Sequence, residues 1–130
     1  MTPRVLVVED DPSVRTLLDS LLSGEGYDVR TASDGIAAMQ IAHDHVPSLI
    51  LLDVMMPDLG GVRVLEQLRT DEALTGIPVV VVTGAIDLVP LLREQLGDEH
   101  VFIKPFVVAD LLDQVARLTG GPVRRTGKSS

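Results

Sequence analysis

Five short runs rich in β-branched residues, each followed by a longer amphipathic stretch, constrain the fold of this chain more than any other feature. The first run, 5–8, is apolar at every position, which is typical of a strand buried on both faces of a parallel sheet. The runs lie at 5–8, 27–32, 48–52, 77–82 and 101–103. We therefore expect five strands, separated by segments long enough to form helices.

The stretches between these runs have the period of amphipathic helices. After the first run, one helical face is expected to carry Val14, Leu17, Leu18, Leu21 and Leu22. The pattern repeats as five βα units, and parallel strands need right-handed crossovers of this length. The predicted fold is α/β, a single doubly wound five-stranded parallel sheet with helices on both faces. The pattern alone leaves the strand order open.

Length and composition predict one domain followed by a tail. The chain has 130 residues, of which 45% are hydrophobic, and it has no cysteine. These values suit one aliphatic core and a reducing compartment. We expect the domain at 1–119 and a flexible basic tail at 120–130. No leader and no apolar stretch of membrane-spanning length is apparent, so we expect a cytoplasmic protein without a membrane partner.

The charge of the chain narrows the kinds of partner. The net charge is −8, although 3 of the 11 Lys and Arg residues lie in the last eleven positions, which hold no acid. The body of the domain is therefore more acidic than the whole chain. Nucleic-acid binding depends on basic side chains that neutralise phosphates. We expect a cation site or a basic protein partner, and no direct nucleic-acid contact.

Polar residues stand where four of the predicted strands end. Glu9 and Asp10 follow the first strand, Asp53 the third, Thr83 the fourth and Lys104 the fifth. Ligands of open parallel sheets bind beyond the carboxyl ends of the strands. We therefore expect these side chains to meet at one edge of the sheet.

Clustered carboxylates with one hydroxyl and one ammonium suit phosphoryl chemistry. Carboxylates that repel each other attract a hard divalent cation such as Mg²⁺. A carboxylate beside that ion can attack phosphorus and become an aspartyl phosphate. Lys104 and the hydroxyl of Thr83 could stabilise the charge that spreads over the phosphoryl oxygens.

Four segments at successive strand ends carry a family resemblance. They are the acidic pair after the first strand, the segment around Asp53, the one around Thr83 and the Lys-Pro pair, at 7–10, 52–57, 82–84 and 104–106. Over about residues 3–119 the chain resembles the receiver domain of two-component response regulators. The resemblance implies a flavodoxin-like fold with strand order 2-1-3-4-5, and often a cis bond before Pro105.

The resemblance also implies the roles of the acidic residues. Asp53 would accept a phosphoryl group from a histidine kinase or phosphotransfer protein. Asp10 would bind Mg²⁺ directly, Glu9 mainly through water, and the backbone carbonyl of Met55 would be a further ligand. Lys104 would pair with the phosphoryl group. Such a domain phosphorylates and dephosphorylates itself but is not otherwise an enzyme.

The implied switch departs from the family at one position. Thr83 would move to bond the phosphoryl oxygen, but the place where family members usually carry an aromatic holds Val101. The adjacent Phe102 should point to the opposite face of its strand. The surface of the fourth helix, last strand and last helix often binds effectors or a second copy in receivers. The apolar fourth helix, with Leu88 and Leu92, either packs deeply or forms such an interaction face.

Other interpretations of the same residues stay open. A receiver-like module that binds its partner constitutively, without phosphorylation, is the main alternative. A phosphohydrolase with an aspartyl nucleophile is less favoured, because the second acid expected two residues after it is replaced by Met55. Asp11 is expected to cap the first helix. His43 and His45 are expected to be solvated surface, and His100 a loop residue.

Overall fold

The fold is a five-stranded parallel sheet covered by helices on both faces. The computed structural model describes residues 2–55 and 61–121. The strands are β1 (Arg4–Val8), β2 (Asp28–Ala32), β3 (Leu49–Leu52), β4 (Val79–Thr83) and β5 (Val101–Ile103). The helices are α1 (Pro12–Glu25), α2 (Gly35–Asp44), α3 (Gly61–Thr70), α4 (Val89–Leu96) and α5 (Val108–Thr119). Short 3₁₀ turns at Ile86–Leu88 and Asp98–His100 flank α4.

The strand order is β2-β1-β3-β4-β5, and all the neighbouring strands are parallel. This confirms the predicted doubly wound fold and the order that the family resemblance implied. Because β2 lies on one side of β1 and β3 lies on the other, the direction of winding reverses between β1 and β3. A ligand crevice is expected at that point, beyond the carboxyl ends of the strands.

Alternating side chains divide the core into two layers. One layer packs α2, α3 and α4 against strand residues such as Leu6, Ile50 and Val81. The other packs α1 and α5 against the intervening residues, such as Val7 and Leu51. The period of two along each strand places successive side chains on opposite faces, so both faces of the sheet are buried.

The ends of the elements follow local capping chemistry. Asp11 caps α1, because its side chain accepts hydrogen bonds from the amides of Ser13 and Val14, which confirms the capping prediction. Asp34 caps α2 in the same way. Gly26 ends α1 with a φ of 105°, a left-handed conformation that glycine adopts without steric cost.

Three sequence expectations need correction or lie outside the description. Leu17 is 49% exposed, because the stripe of α1 that meets the sheet is narrower than the apolar pattern and centres on Leu18 and Leu22. The turn residues at 56–61 predict a loop; residues 56–60 lie outside the described part of the chain, and Gly61 is the first residue of α3 instead. The predicted tail beyond residue 121 also lies outside the described residues. Among the described helices, none is long and apolar enough to cross a membrane.

Candidate functional site

The turn after β1 brings two acids to the crevice. Glu9 is only 1% exposed, and its carboxylate accepts a hydrogen bond from the amide of Asp11 at 3.2 Å. Its own amide donates to the carbonyl of Ala32, which continues the pairing of β1 with β2. Asp10 is partly exposed. The burial of Glu9 therefore follows from the sheet itself, while Asp10 lies at the mouth of the crevice.

Asp53 follows β3 directly and is 5% exposed. Its amide donates to the carbonyl of Val8, and its Oδ1 accepts from the amide of Met55 at 2.9 Å. The start of α3 closes on this segment, because the amide of Gly61 donates to the carbonyl of Val54. These bonds orient the carboxylate of Asp53 and fix the backbone on both sides of it.

Lys104 joins the two buried acids. Its Nζ lies 2.9 Å from Oε1 of Glu9 and 3.2 Å from Oδ2 of Asp53. The lysine side chain is 26% exposed, whereas those of Glu9 and Asp53 are 1% and 6% exposed. The peptide bond between Lys104 and Pro105 is cis, as the family resemblance implied. One ammonium group thus balances part of the charge of a buried carboxylate pair.

Both ends of this ion pair have shifted pKa values. Burial raises the pKa of the Glu9 carboxyl, although hydrogen bonds from Lys104 and the amide of Asp11 act in the opposite direction. For Lys104, burial acts to lower the pKa, but the hydrogen bond to Glu9 and the charge of Asp53 outweigh it, so the pKa is raised. The crevice therefore stabilises a cation and penalises an uncompensated anion.

The acidic residues fit a hard divalent cation. Within the described part of the chain, Glu9, Asp10 and Asp53 can each offer one carboxylate oxygen, all within 4.8 Å of one another. Carboxylate oxygens are the ligands that Mg²⁺ prefers, usually one or two of them together with waters. Both oxygens of Glu9 already accept hydrogen bonds, which leaves Asp10 with the freer carboxylate.

Thr83 ends β4, beside the Asp53 strand, and is fully buried. Its Oγ1 accepts a hydrogen bond from the amide of Ala85 at 2.9 Å. The hydroxyl proton remains available for donation, because a hydroxyl can accept and donate at once. The carbonyl of Thr83 accepts from the amide of Lys104, so the hydroxyl and the ammonium come from adjacent strand ends.

The predicted switch and interface residues divide between core and surface. Val101 is 5% exposed and packs with the α4 side of the sheet, where Leu92 is also buried and Leu88 partly buried. Phe102 packs on the opposite side with α1 and α5, as the strand period predicted. Leu92 therefore belongs to the core. The exposed apolar residues near α4 include Ile86 and Leu91.

Sequence reasoning missed two contacts around the site. The guanidinium of Arg15 donates from Nη1 to the carbonyls of Glu9 and Asp10. A Cβ at Gly61 would lie only 2.1 Å from Cα of Val54, so only glycine allows α3 to start there. Neither contact has a local sequence signal beyond an arginine on a polar helix face and a glycine beside a turn.

The histidines take structural positions. Nε2 of His43 lies 2.7 Å from Oδ2 of Asp71, and the His43 side chain is 48% exposed, so the expected surface location is confirmed. His45 is also exposed. His100 lies in a 3₁₀ turn, and its Nδ1 is 3.0 Å from the carbonyl of Val79. None of these contacts involves the acidic crevice.

Comparisons with known proteins agree with this geometry. Residues 5–116 match the response regulator receiver domain family. The chain is 38% identical over 120 residues to the DNA-binding response regulator MtrA of Mycolicibacterium smegmatis, covering 91% of this chain and 51% of MtrA. It is 35% identical over 127 residues to the DNA-binding dual master transcriptional regulator RpaA of Synechocystis sp., covering 97% of this chain and 51% of RpaA. The chain thus spans about half the length of these curated relatives.

Solved structures show the same architecture. The chemotaxis protein CheY4 of Vibrio cholerae matches with a TM-score of 0.79 and 26% identity, covering 91% of this chain and 99% of CheY4. The receiver domain of the Francisella response regulator 1452 matches with a TM-score of 0.78 and 26% identity, covering 92% of this chain and 98% of that domain.

Proposed function

Because this chain belongs to the response-regulator receiver-domain family, the phosphoryl-accepting switches of two-component systems, we propose that Asp53 is the residue that takes the phosphoryl group. One observation carries the assignment: the ammonium of Lys104 lies between Glu9 and Asp53 in a buried crevice at the carboxyl edge of the sheet. A carboxylate held beside a cation and further acids is suited to attack phosphorus.

The donor would be a phosphohistidine of a histidine kinase or phosphotransfer protein. A carboxylate oxygen of Asp53 attacks phosphorus and forms a P–O bond, while the P–N bond to the imidazole breaks and its electron pair returns to the ring nitrogen. The amide of Met55 holds Oδ1 of Asp53, so the nucleophile is oriented before the donor arrives. Pre-orientation of this kind removes part of the entropic barrier.

Mg²⁺ would be held by the carboxylates of Asp10 and Asp53, with Glu9 acting mainly through water and the backbone carbonyl of Met55 as a further ligand. When bound, the ion neutralises the negative charge that gathers on the phosphoryl oxygens. The deep burial of Glu9, against the partial exposure of Asp10, supports the indirect role of Glu9.

Lys104 and Thr83 would respond to the new group. Once Asp53 carries the phosphoryl group, its carboxylate charge is replaced by that of the phosphoryl oxygens, and Lys104 pairs with them as a charge-assisted donor. The Thr83 hydroxyl turns from Ala85 to donate to a phosphoryl oxygen. That movement breaks the hydrogen bond from the Ala85 amide and shifts the population of the segment before α4.

An effector protein or a second copy of the chain would bind the surface of α4, β5 and α5 and so respond to phosphorylation. The exposed side chain of Ile86, in the turn before α4, supports an apolar contact there, whereas Leu91 lines a groove between α3 and α4. MtrA and RpaA are DNA-binding regulators, but the acidic body of this chain disfavours direct contact with nucleic acid. The absence of cysteine suits the reducing cytoplasm, where we place the protein.

Intact-mass spectrometry after incubation with acetyl phosphate and Mg²⁺ tests the proposal. We expect one phosphoryl adduct in the wild type, and none in Asp53→Asn or in the presence of EDTA. An adduct that persists in Asp53→Asn would contradict the assignment. If neither acetyl phosphate nor a phosphorylated phosphotransfer protein produces an adduct, the chain is not a phosphoryl acceptor.

A further inference from the structure

One arginine holds the entire acidic turn that follows β1. Nη1 of Arg15 donates to the carbonyl of Glu9 at 2.9 Å and to that of Asp10 at 3.3 Å. The amide of Arg15 donates to the carbonyl of Asp11 at 2.9 Å. Three consecutive carbonyls therefore accept hydrogen bonds from a single residue of α1.

These bonds matter because the turn has left the sheet. The amide of Glu9 still pairs with the carbonyl of Ala32, but its carbonyl and that of Asp10 point to the Arg15 guanidinium. Backbone carbonyls that lose their partners in a partly buried place carry a desolvation penalty. A guanidinium is planar and offers several donors, so it can serve two carbonyls and limit the directions the turn adopts.

Asp10 depends on this contact more than Glu9 does. Among the described residues, Glu9 has side-chain hydrogen bonds from Lys104 and the Asp11 amide. The carboxylate of Asp10 receives none from that part of the chain, so its position is set by its backbone. Residues that orient metal ligands without touching the metal influence metal affinity strongly.

We propose that Arg15 is a positioning residue that preorganises the carboxylates of Glu9 and Asp10 for Mg²⁺; this inference rests on the proposed magnesium site. This positioning role predicts a change in Mg²⁺ affinity, on removal of Arg15, that is opposite in sign to the change expected from charge alone. A positive charge near the site repels Mg²⁺, so removing it would tighten binding by simple electrostatics. Removing the arginine that fixes the turn weakens binding instead.

The test is a calorimetric titration with magnesium chloride of four proteins: wild type, Arg15→Met, Arg30→Met and Asp10→Asn. Arg30 is the matched control, because it is exposed on β2 and its removal changes the net charge equally. We expect Arg15→Met to bind Mg²⁺ about tenfold more weakly than wild type, Arg30→Met to bind like wild type, and Asp10→Asn to lose binding. Thermal melting in EDTA reports stability separately.

Each outcome has a separate meaning. Binding by Arg15→Met that equals or exceeds that of Arg30→Met would overturn the positioning role, even if its melting temperature in EDTA falls. If Arg15→Met does not fold, Arg15→Lys replaces it, since this variant keeps the charge and loses the planar donor group. Weaker binding by Arg15→Lys supports the proposal, and unchanged binding overturns it. A wild type that binds no Mg²⁺ would overturn the magnesium site and this role together.

Discussion

The two sides of the crevice differ in how firmly they are held. The acidic side is defined by Glu9, Asp10 and Asp53. It is held by hydrogen bonds from the Arg15 guanidinium and from the amide of Gly61 at the start of α3. Within the part of the chain that the structure describes, the hydroxyl side, defined as residues 83–88, has one side-chain hydrogen bond, from the Ala85 amide to Thr83. It continues into a 3₁₀ turn in which Ile86 is 62% exposed.

This difference indicates that the two sides have different roles. A site that binds an ion and orients a nucleophile benefits from rigidity, because preorganised ligands need no rearrangement. A segment that reports a chemical change needs two accessible arrangements separated by little free energy. The bonds of the acidic side suit the first requirement, and we propose that the hydroxyl side meets the second.

The largest effect is expected from Gly61→Ala on the acidic side. A Cβ at this position would lie 2.1 Å from Cα of Val54 and 2.4 Å from the carbonyl oxygen of Asp53. The backbone must shift, which costs about 3 kcal/mol of unfolding free energy by analogy with overpacked cores. Urea unfolding followed by circular dichroism measures the loss. Gly24→Ala in α1, where no atom lies within 4 Å, should instead gain about 0.5 kcal/mol. Equal stability of Gly61→Ala and wild type would show that the start of α3 is not closely packed against the backbone of Asp53 and Val54.

Lys104→Met should have the next largest effect. It leaves Glu9 and Asp53 buried without their shared cation, which costs about 2 kcal/mol when allowance is made for the partial exposure of the lysine. The pKa of Lys104 is raised above its ordinary value of 10.5. Its stabilising contribution is therefore complete below that value and disappears as the pH rises through the folded-state pKa.

The stability gap between wild type and Lys104→Met should accordingly close in that alkaline range. Urea unfolding at a series of pH values measures it, with Lys104→Arg as the control that keeps the charge. A gap that stays constant through the alkaline range would mean that the ion pair contributes nothing and that packing alone is lost.

The smallest effect is expected from Thr83→Val on the hydroxyl side. This change keeps the shape of the buried side chain but removes the acceptor of the Ala85 amide, at a cost of about 1 kcal/mol. The affinity for Mg²⁺ should not change, because the acidic side is held independently. Thr83→Ser, which keeps the hydroxyl, serves as the control in both measurements. A parallel loss of Mg²⁺ affinity in Thr83→Val would show that the two sides are coupled.

The sequence predicts which reactive side chains meet in the crevice better than it predicts the contacts that hold them in place. The sequence alone predicts that Glu9, Asp53 and Lys104 lie close together. Each of them follows a recognisable apolar run, and parallel strands end at one edge of the sheet. The opposite faces of Val101 and Phe102 follow from the strand period in the same way. These are local patterns that the topology converts directly into proximity.

The supporting contacts depend on details that no local pattern encodes. Arg15 lies on a helix that could present it to solvent, and only the angle between α1 and the turn after β1 brings it to the carbonyls of Glu9 and Asp10. The need for glycine at Gly61 comes from how closely α3 approaches β3. Similarly, the apolar spacing of α1 includes Leu17, but that residue lies outside the stripe of α1 that packs on the sheet and is exposed.

Hydrogen exchange before and after phosphorylation tests the division between the two sides most directly. Exchange would be followed by mass spectrometry in Mg²⁺ alone and in Mg²⁺ with excess acetyl phosphate, with Asp53→Asn as the control and intact mass confirming the adduct. We predict faster exchange in peptides that cover residues 84–88, because the Ala85 amide loses its bond to Thr83, and no change in peptides that cover residues 9–15. Unchanged exchange at 84–88 in a phosphorylated protein, or a change confined to 9–15, would contradict the account.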